Sequence, residues 1–200
     1  MAANPTPETD ATRDQILDAA EIRFRQYGYG KTTMSEIAKD VAMSAANIYR
    51  YFENKQDLGA ACCGRWNEER LEVLRQTVRG PGRTASQRLE EFVVANLHVT
   101  HKQASEQPRV YEMVENITRE RPELVHDKID AVRALLAELI AYGNTTGEFD
   151  VEDVQSAAAY VHASLVVFEV PIFAHLYPLD YFEEAARGVT ELLVKGLGTR

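Results

Sequence analysis

Between Thr32 and Leu58 the chain reads TTMSEIAKDVAMSAANIYRYFENKQDL, and few local structures accept that order of residues. Thr33-Met34-Ser35-Glu36 has the form of a capping box, in which the threonine accepts from a free N–H of the first turn and the glutamate reaches back. Ile37, Ala38 and Val41 then supply an inward apolar face, Ala42-Met43 makes a turn, and Ser44 is a good N-cap for the next helix. Ile48 and Phe52 fall one turn apart, so they face inward together. Asn54 caps a further helix, with Asp57 in its first turn, where a carboxylate suits the helix dipole. The pattern predicts two short helices joined by a tight turn, with a third helix starting at once. Such a pair can lay its second helix in a DNA major groove.

The residues left outside sharpen that expectation. Small residues at the start of the second helix, Ala45 and Ala46, let the backbone approach base edges. Asn47 and Arg50 are the side-chain types that read adenine and guanine. Tyr49 and Tyr51 offer hydroxyls to phosphate oxygens, and Lys55 offers a charge. A hairpin that only packs explains Ile37, Ile48 and Phe52, but gives no reason for two tyrosines, an asparagine and an arginine on one face.

The same positions resemble the N-terminal module of tetracycline-repressor (TetR) family regulators. Thr32-Thr33, Ile37-Ala38, Ser44, the run Ile48-Tyr49-Arg50-Tyr51-Phe52, Lys55 and Leu58 agree at fixed spacing over about a quarter of the chain. One departure is Ala42, where the family usually has glycine, so that turn must avoid the left-handed region or accept strain. The resemblance implies an all-helical homodimer. It also implies that Thr33, Ser44, Tyr49, Tyr51 and Lys55 hold phosphates, while the residues from Ala45 to Arg50 read bases.

Charge alone would not suggest this partner, because the formal net charge is -9 and the isoelectric point is near 5.1. Its distribution is more informative. From Gly28 to Lys55, Lys31, Lys39, Arg50 and Lys55 outnumber Glu36, Asp40 and Glu53 by one, so the acidity lies elsewhere. An acidic body is repelled by DNA, and only the local reader can face it.

The remaining chain reads as helix after helix, about nine in all. Met1–Thr9 is expected to be a disordered tail, residues 10–54 a helix-turn-helix domain built on a three-helix bundle, and residues 55–200 a helical ligand-binding and dimerisation domain. Thr12-Arg13-Asp14-Gln15 would cap a first helix with Ile16, Leu17, Ala20, Phe24 and Tyr27 at helical spacing, closed by Gly28 and Gly30. Asn54–Arg79 has no proline and predicts one helix of roughly 37 Å at ~1.5 Å per residue. Gly80-Pro81-Gly82 ends it. Thr84 caps a helix with Leu89, Phe92, Val93, Leu97 and Ala104 inward, and Asn96 and Thr100 fall on that same stripe. Polar groups there must be bonded to a neighbouring helix or must line a pocket. Pro108 breaks the chain before a shorter helix, and Pro122 suits the first turn of the next. That helix is expected to close between Gly143 and Gly147.

Asp150 is expected to open a helix reaching about Leu176, apolar nearly all round from Ala157 to Phe173 and kinked at Pro171. Asp180 would cap the last helix, with Ala185, Val189, Leu192, Leu193 and Leu197 packed beside the one before. Two such helices from each of two subunits make a four-helix dimer interface. Trp66, Phe92, Asn96, Thr100, Tyr111, His162 and Glu169 are the candidate ligand-pocket residues.

Other chemistry finds little support. His98 and His101 stand at a spacing that can hold a metal, but no Glu-x-x-His pattern accompanies them, so no metal is expected. Cys62 and Cys63 are adjacent and have no metal spacing, which suits a reducing compartment; a thiol-sensing role depends on their exposure. No nucleophile elbow, phosphate loop or cofactor motif is present, so neither enzyme nor cofactor is expected. The N-terminal residues carry no signal-peptide pattern, and Ala157–Phe168 is too short to span a bilayer, so the expected location is cytoplasmic, with no membrane partner. The function expected is a ligand-responsive regulator, most simply a repressor. Its partners would be double-stranded palindromic operator DNA, a small-molecule effector and a second copy held through the last two helices. The alternative is a helical binding module that has lost its DNA, which the acidic total favours and the Tyr49-Arg50-Tyr51 face opposes.

Overall fold

Proline at a helix start has no N–H to leave unpaired, and two α-helices among the described residues use this. Helix α1 runs Pro7–Tyr27, starting earlier than the Thr12 capping pattern predicted. Helix α6, Pro108–Glu120, begins on the residue expected to break the chain, behind Gln107. The structure is a computed structural model that describes residues 7–198; the expected tail therefore lies outside the described residues up to Thr6, while Pro7, Glu8 and Thr9 are helical. Among the described residues there are nine α-helices and a short 3₁₀ turn, and no helix is long and apolar enough to cross a membrane.

These residues form two compact units. The first holds residues 7–66 and 107–124, and the second holds 67–106 and 125–198. In the first unit, α1 is followed by α2 (Met34–Asp40), α3 (Ala45–Ile48), the opening of α4 (Lys55–Arg79) and α6. α1 lies against α2 and α6. Their apolar faces meet in one core in which Ile16, Phe24, Ile37, Ile48, Leu58, Met113 and Ile117 are almost wholly removed from water. Gly28 ends α1 at φ 88°, a left-handed conformation that costs glycine nothing.

The second unit is built from the rest of α4, α5 (Ala85–Glu106), α7 (Glu123–Thr146) from Val125 onward, α8 (Val154–Glu169) and α9 (Leu179–Leu197). α5 packs on both α8 and α9, and Phe168 of α8 meets Phe182 of α9 edge to face at 6.4 Å. Leu74, Leu89, Phe92, Val132, Leu136 and Leu139 form the centre of its core.

Several expected boundaries need correction here. Gly143 does not end α7 but sits buried inside it. A Cβ there would lie 2.1 Å from the ring of Phe149, so the glycine is what lets the returning chain close over the helix. Gly147, at φ 75°, makes the actual end. α8 starts after Asp153, whose carboxylate accepts from the N–H of Ser156 at 3.0 Å, and not at Asp150. It stops at Glu169 without a kink: Val170 is extended, and Pro171 opens the 3₁₀ turn Pro171–His175. Pro178, not Asp180, precedes α9, and Asp180 accepts from the N–H of Tyr181. On α9 the buried positions are Phe182, Ala186 and Thr190, with Ala185, Val189, Leu193 and Leu197 partly buried against the core. Leu192, expected to pack, is 69% exposed.

The N-terminus of α5 is capped twice. Thr84 and Gln87 exchange hydrogen bonds as a capping box at 3.1 and 3.2 Å. From across the unit, Glu148 accepts from the N–H groups of Ala85 and Ser86 at 2.7 and 3.2 Å. Burial raises the pKa of this carboxyl. Its bonds from Ala85, Ser86 and Thr146 outweigh that and hold it below the ordinary value.

Candidate nucleic-acid interface

The helix pair forms as its caps dictate. Thr33 Oγ1 accepts from the Glu36 N–H at 3.3 Å, and the Glu36 carboxylate accepts from the Thr33 N–H at 2.9 Å and from its hydroxyl at 2.8 Å. Those bonds, with Arg23 and Lys39 nearby, hold the Glu36 carboxyl below its ordinary range. Met43 N donates to Ala38 O at 2.8 Å to close the turn, and Ala42 takes φ 54°. Of the two outcomes open to an alanine at this position, the chain has the strained one.

Ser44 Oγ accepts from the Asn47 N–H at 3.2 Å and starts α3. The second helix is shorter than its pattern suggested. Ala45–Ile48 is helical, and Tyr49 to Tyr51 continue as a tighter turn, with Tyr51 N donating to Ile48 O at 3.0 Å. Ile48 and Phe52 are both buried, as their spacing required. Ala45, Ala46, Tyr49 and Arg50 are exposed, Asn47 and Tyr51 are partly buried, and Thr33 and Ser44 are exposed at the two helix starts.

Lys55 is less available than its charge suggested. Its ammonium donates to the carbonyls of Tyr29 and Thr32, each at 3.0 Å, and lies 4.5 Å from the Tyr29 ring centroid. Burial lowers its pKa. It ties the end of the α1–α2 connection to the start of α4, which Asn54 Oδ1 caps through the Asp57 N–H at 2.8 Å. Arg23 is engaged by Asp40 and Glu36, and Arg13 covers the Phe52 ring. Lys31, Lys39 and Arg50, by contrast, are exposed and enter none of the ion pairs among the described residues. Lys31 and Lys39 went no further than a charge count in the sequence; their positions flanking the capping box could have marked them.

The seven pocket candidates divide. Trp66 and Tyr111 belong to the first unit, and Phe92, Asn96, Thr100, His162 and Glu169 to the second. Phe92 is part of the second core. Asn96 and Thr100 are bonded to a neighbouring helix: Arg70 of α4 donates through Nε to Asn96 Oδ1 at 2.8 Å and through Nη2 to Asn96 and to Thr100 Oγ1. His162 Nε2 lies 3.3 Å from Glu169 Oε2, and both residues are about 95% buried. The other oxygen, Glu169 Oε1, is buried without a hydrogen-bond partner.

Sequence reasoning missed Arg70 and Lys128. Cys62, Trp66, Arg70, Leu74 and Val78 recur every four residues and are all buried, so Arg70 fills an inward position on an apolar stripe. That irregularity was the available signal. Burial, and then the charge of Arg70, pull the Lys128 ammonium down to about 8. Lys128 had no such marker.

Three other features carry less. A surface groove of about 910 Å³ in the second unit is lined by Val73, Val94 and Ala95 below a charged rim. None of the seven candidates lines it, and its cations Arg79, Arg83 and Arg187 are paired with Glu138, Glu91 and Glu90. His98 is exposed, and its Nε2 lies 2.6 Å from Glu183 Oε1. Burial raises both thiols, Cys63 to about 12 and Cys62 further, and a protonated thiol is a poor nucleophile.

Residues 16–62 match the family model described as bacterial regulatory proteins, tetR family, and residues 85–190 match the tetracyclin repressor-like C-terminal domain. The chain is 28% identical over 137 residues to the HTH-type transcriptional repressor BepR of Brucella suis, covering 67% of this chain and 63% of BepR. It is 41% identical over 66 residues to YvkB, an HTH-type transcriptional regulator of Bacillus subtilis, covering 33% of this chain and 35% of YvkB. The fold is similar to that of SmeT, the repressor of a multidrug efflux pump of Stenotrophomonas maltophilia. The TM-score is 0.65, with 22% identity, over 96% of this chain and 93% of that one.

Proposed function

As this chain belongs to the tetracycline-repressor family of bacterial regulatory proteins, we propose that it binds a palindromic operator as a dimer, most simply as a repressor, and releases it when a small-molecule effector enters the second unit. The observation that carries the reading is the outward face of α3 and its turn. Ile48 and Phe52 are buried, while Tyr49 and Arg50 are exposed beside Asn47. Asn47 and Arg50 are the base readers in this proposal. Thr33, Ser44, Tyr49 and Tyr51 position the backbone phosphates, Ala45 and Ala46 allow the close approach, and Lys55 acts mainly by fixing the start of α4. The two readers of a dimer would contact half-sites about one DNA turn, ~34 Å, apart.

Dimerisation is proposed through α8 and α9. Tyr160 of α8, Leu192 of α9, and Ile172 and Leu176 of the connection between them are between 59% and 74% exposed, apolar side chains that a second copy would cover. α4 has residues in both units, and Arg70 on it holds Asn96 and Thr100. An effector that repositions Arg70 therefore acts on the helix whose first turn comes directly after the reader. SmeT is known in a complex with triclosan, which supports a small-molecule effector here. The effector must bind the operator-incompetent state more tightly, with a coupling typically of ~1–3 kcal/mol.

Gel-shift titrations on the DNA upstream of the chain's own gene test the reader. Asn47→Ala and Arg50→Ala should each weaken operator binding by about 1–3 kcal/mol and relax base preference at one position. Unchanged affinity in both variants would remove the assignment.

A further inference from the structure

We propose that the second unit takes an organic acid carrying a nearby hydroxyl, with Arg70 and Lys128 as the counter-charges of its carboxylate and Glu169 as the acceptor for the hydroxyl. The proposal deepens the regulator reading, from which it takes its biological meaning.

Arg70 is 6% exposed, and its bonds go to two neutral residues, Asn96 and Thr100, leaving the N–H groups of Nη1 outside them. Lys128 is close enough to Arg70 to feel its charge and enters no ion pair among the described residues. The acid that acts on both cations is Glu169, whose Oε2 lies against His162. Two cations, the buried Arg70 and the half-buried Lys128, therefore share one buried carboxylate. Buried charge is strongly unfavourable unless compensated, so the cluster lacks a negative charge. Burial and the neighbouring guanidinium already bring the Lys128 ammonium to about 8, the direction expected where an anion is wanting.

The second observation is independent of charge. Glu169 Oε1 is buried with no donor. On α4, Asn67 stands one turn before Arg70, and its Oδ1 is also buried and unpartnered. An acid alone would satisfy the cations and leave these acceptors bare; a hydroxyl on the same molecule supplies a donor. A cationic ligand would add a third positive charge, and a neutral one would leave the surplus. Metal is not indicated, because among the described residues no group of three His, Cys, Asp or Glu could hold an ion. The apolar walls for the body of the acid are at hand. Phe92 lies one turn before Asn96 on α5, and Leu165 and Phe168 share α8 with His162 and Glu169, all of them buried.

Calorimetric titration of the full chain decides the matter. The probes are mandelate, phenylacetate and mandelamide, and the aliphatic set 3-hydroxyoctanoate, octanoate and 3-hydroxyoctanamide. In at least one set the hydroxy acid should bind more tightly than the plain acid, and the amide at least tenfold more weakly. Lys128→Met and Lys128→Gln should lower affinity for the acid tenfold or more without changing that for the amide. Glu169→Met, which removes the acceptor, should abolish the preference for the hydroxyl. The inference is overturned if amides match acids, if both Lys128 variants bind acids like the parent chain, if the hydroxyl makes no difference, or if neither set binds. Gel shifts without ligand are read separately. A chain that binds acids but no operator loses the regulator reading alone, and one that binds operator but no acid loses this inference alone.

Discussion

Ala42 is the only non-glycine residue among those described with a left-handed backbone, at φ 54°. An L-residue there loses roughly 1–2 kcal/mol to the crowding of its Cβ. The cost falls inside the turn that sets α3 against α2. Ala42→Gly should therefore raise stability by about 0.5–1 kcal/mol, part of the relief being offset by the added freedom of the unfolded chain. Urea unfolding would show this as a higher midpoint at unchanged slope, and an unchanged midpoint would mean that the turn carries no strain. At the same scale, the geometry recasts Lys55. Its charge is directed at two carbonyls, so Lys55→Met should cost stability as well as any phosphate contact.

At the scale of the element, the decisive feature of α5 is a carboxylate from another part of the chain. Glu148 satisfies two N–H groups that every helix start leaves open, and its charge suits that end of the dipole. Its folded pKa is depressed, so its contribution is complete above the ordinary carboxylate range and is lost as pH falls through the lower folded value. Glu148→Gln should cost about 1 kcal/mol at pH 7 and progressively less in acid, as for other helix caps. A parallel loss at every pH would contradict the charge component. The elements also show how far the residues alone could be read. The caps at Thr33, Ser44, Asn54 and Thr84 lie within three residues of the groups they bond, so their type and spacing identify them. Buried stripes on α5 and α7 were visible for the same reason. Boundaries set by distant partners were not. Gly143 reads as a helix breaker until Phe149 is seen against it, and Pro171 reads as a kink until Val170 proves extended. The partners of Asn96 and Thr100 needed Arg70, which lies 26 and 30 residues away. The outward face of α3 was legible because it depends on one turn of helix, whereas the polar cluster depends on four helices meeting.

For the whole molecule, the apolar surface on α8 and α9 predicts the assembly. Tyr160 is 74% and Leu192 69% exposed, a poor arrangement for a solitary chain. Glutamate at both positions should turn a dimer into a monomer in sedimentation velocity at micromolar concentration, with helical content unchanged and operator affinity lost in step. A double variant that still sediments as a dimer would move the interface elsewhere.

The first unit closes only when residues 107–124 arrive, since Val110, Met113 and Ile117 complete the core begun by Ile16 and Ile48. On the ribosome, the DNA-facing part must therefore wait, unfinished, while some forty intervening residues are made. A gene truncated after Trp66 would yield a fragment with a stripped hydrophobic side, and grafting this head onto another regulator requires carrying α6 along with it.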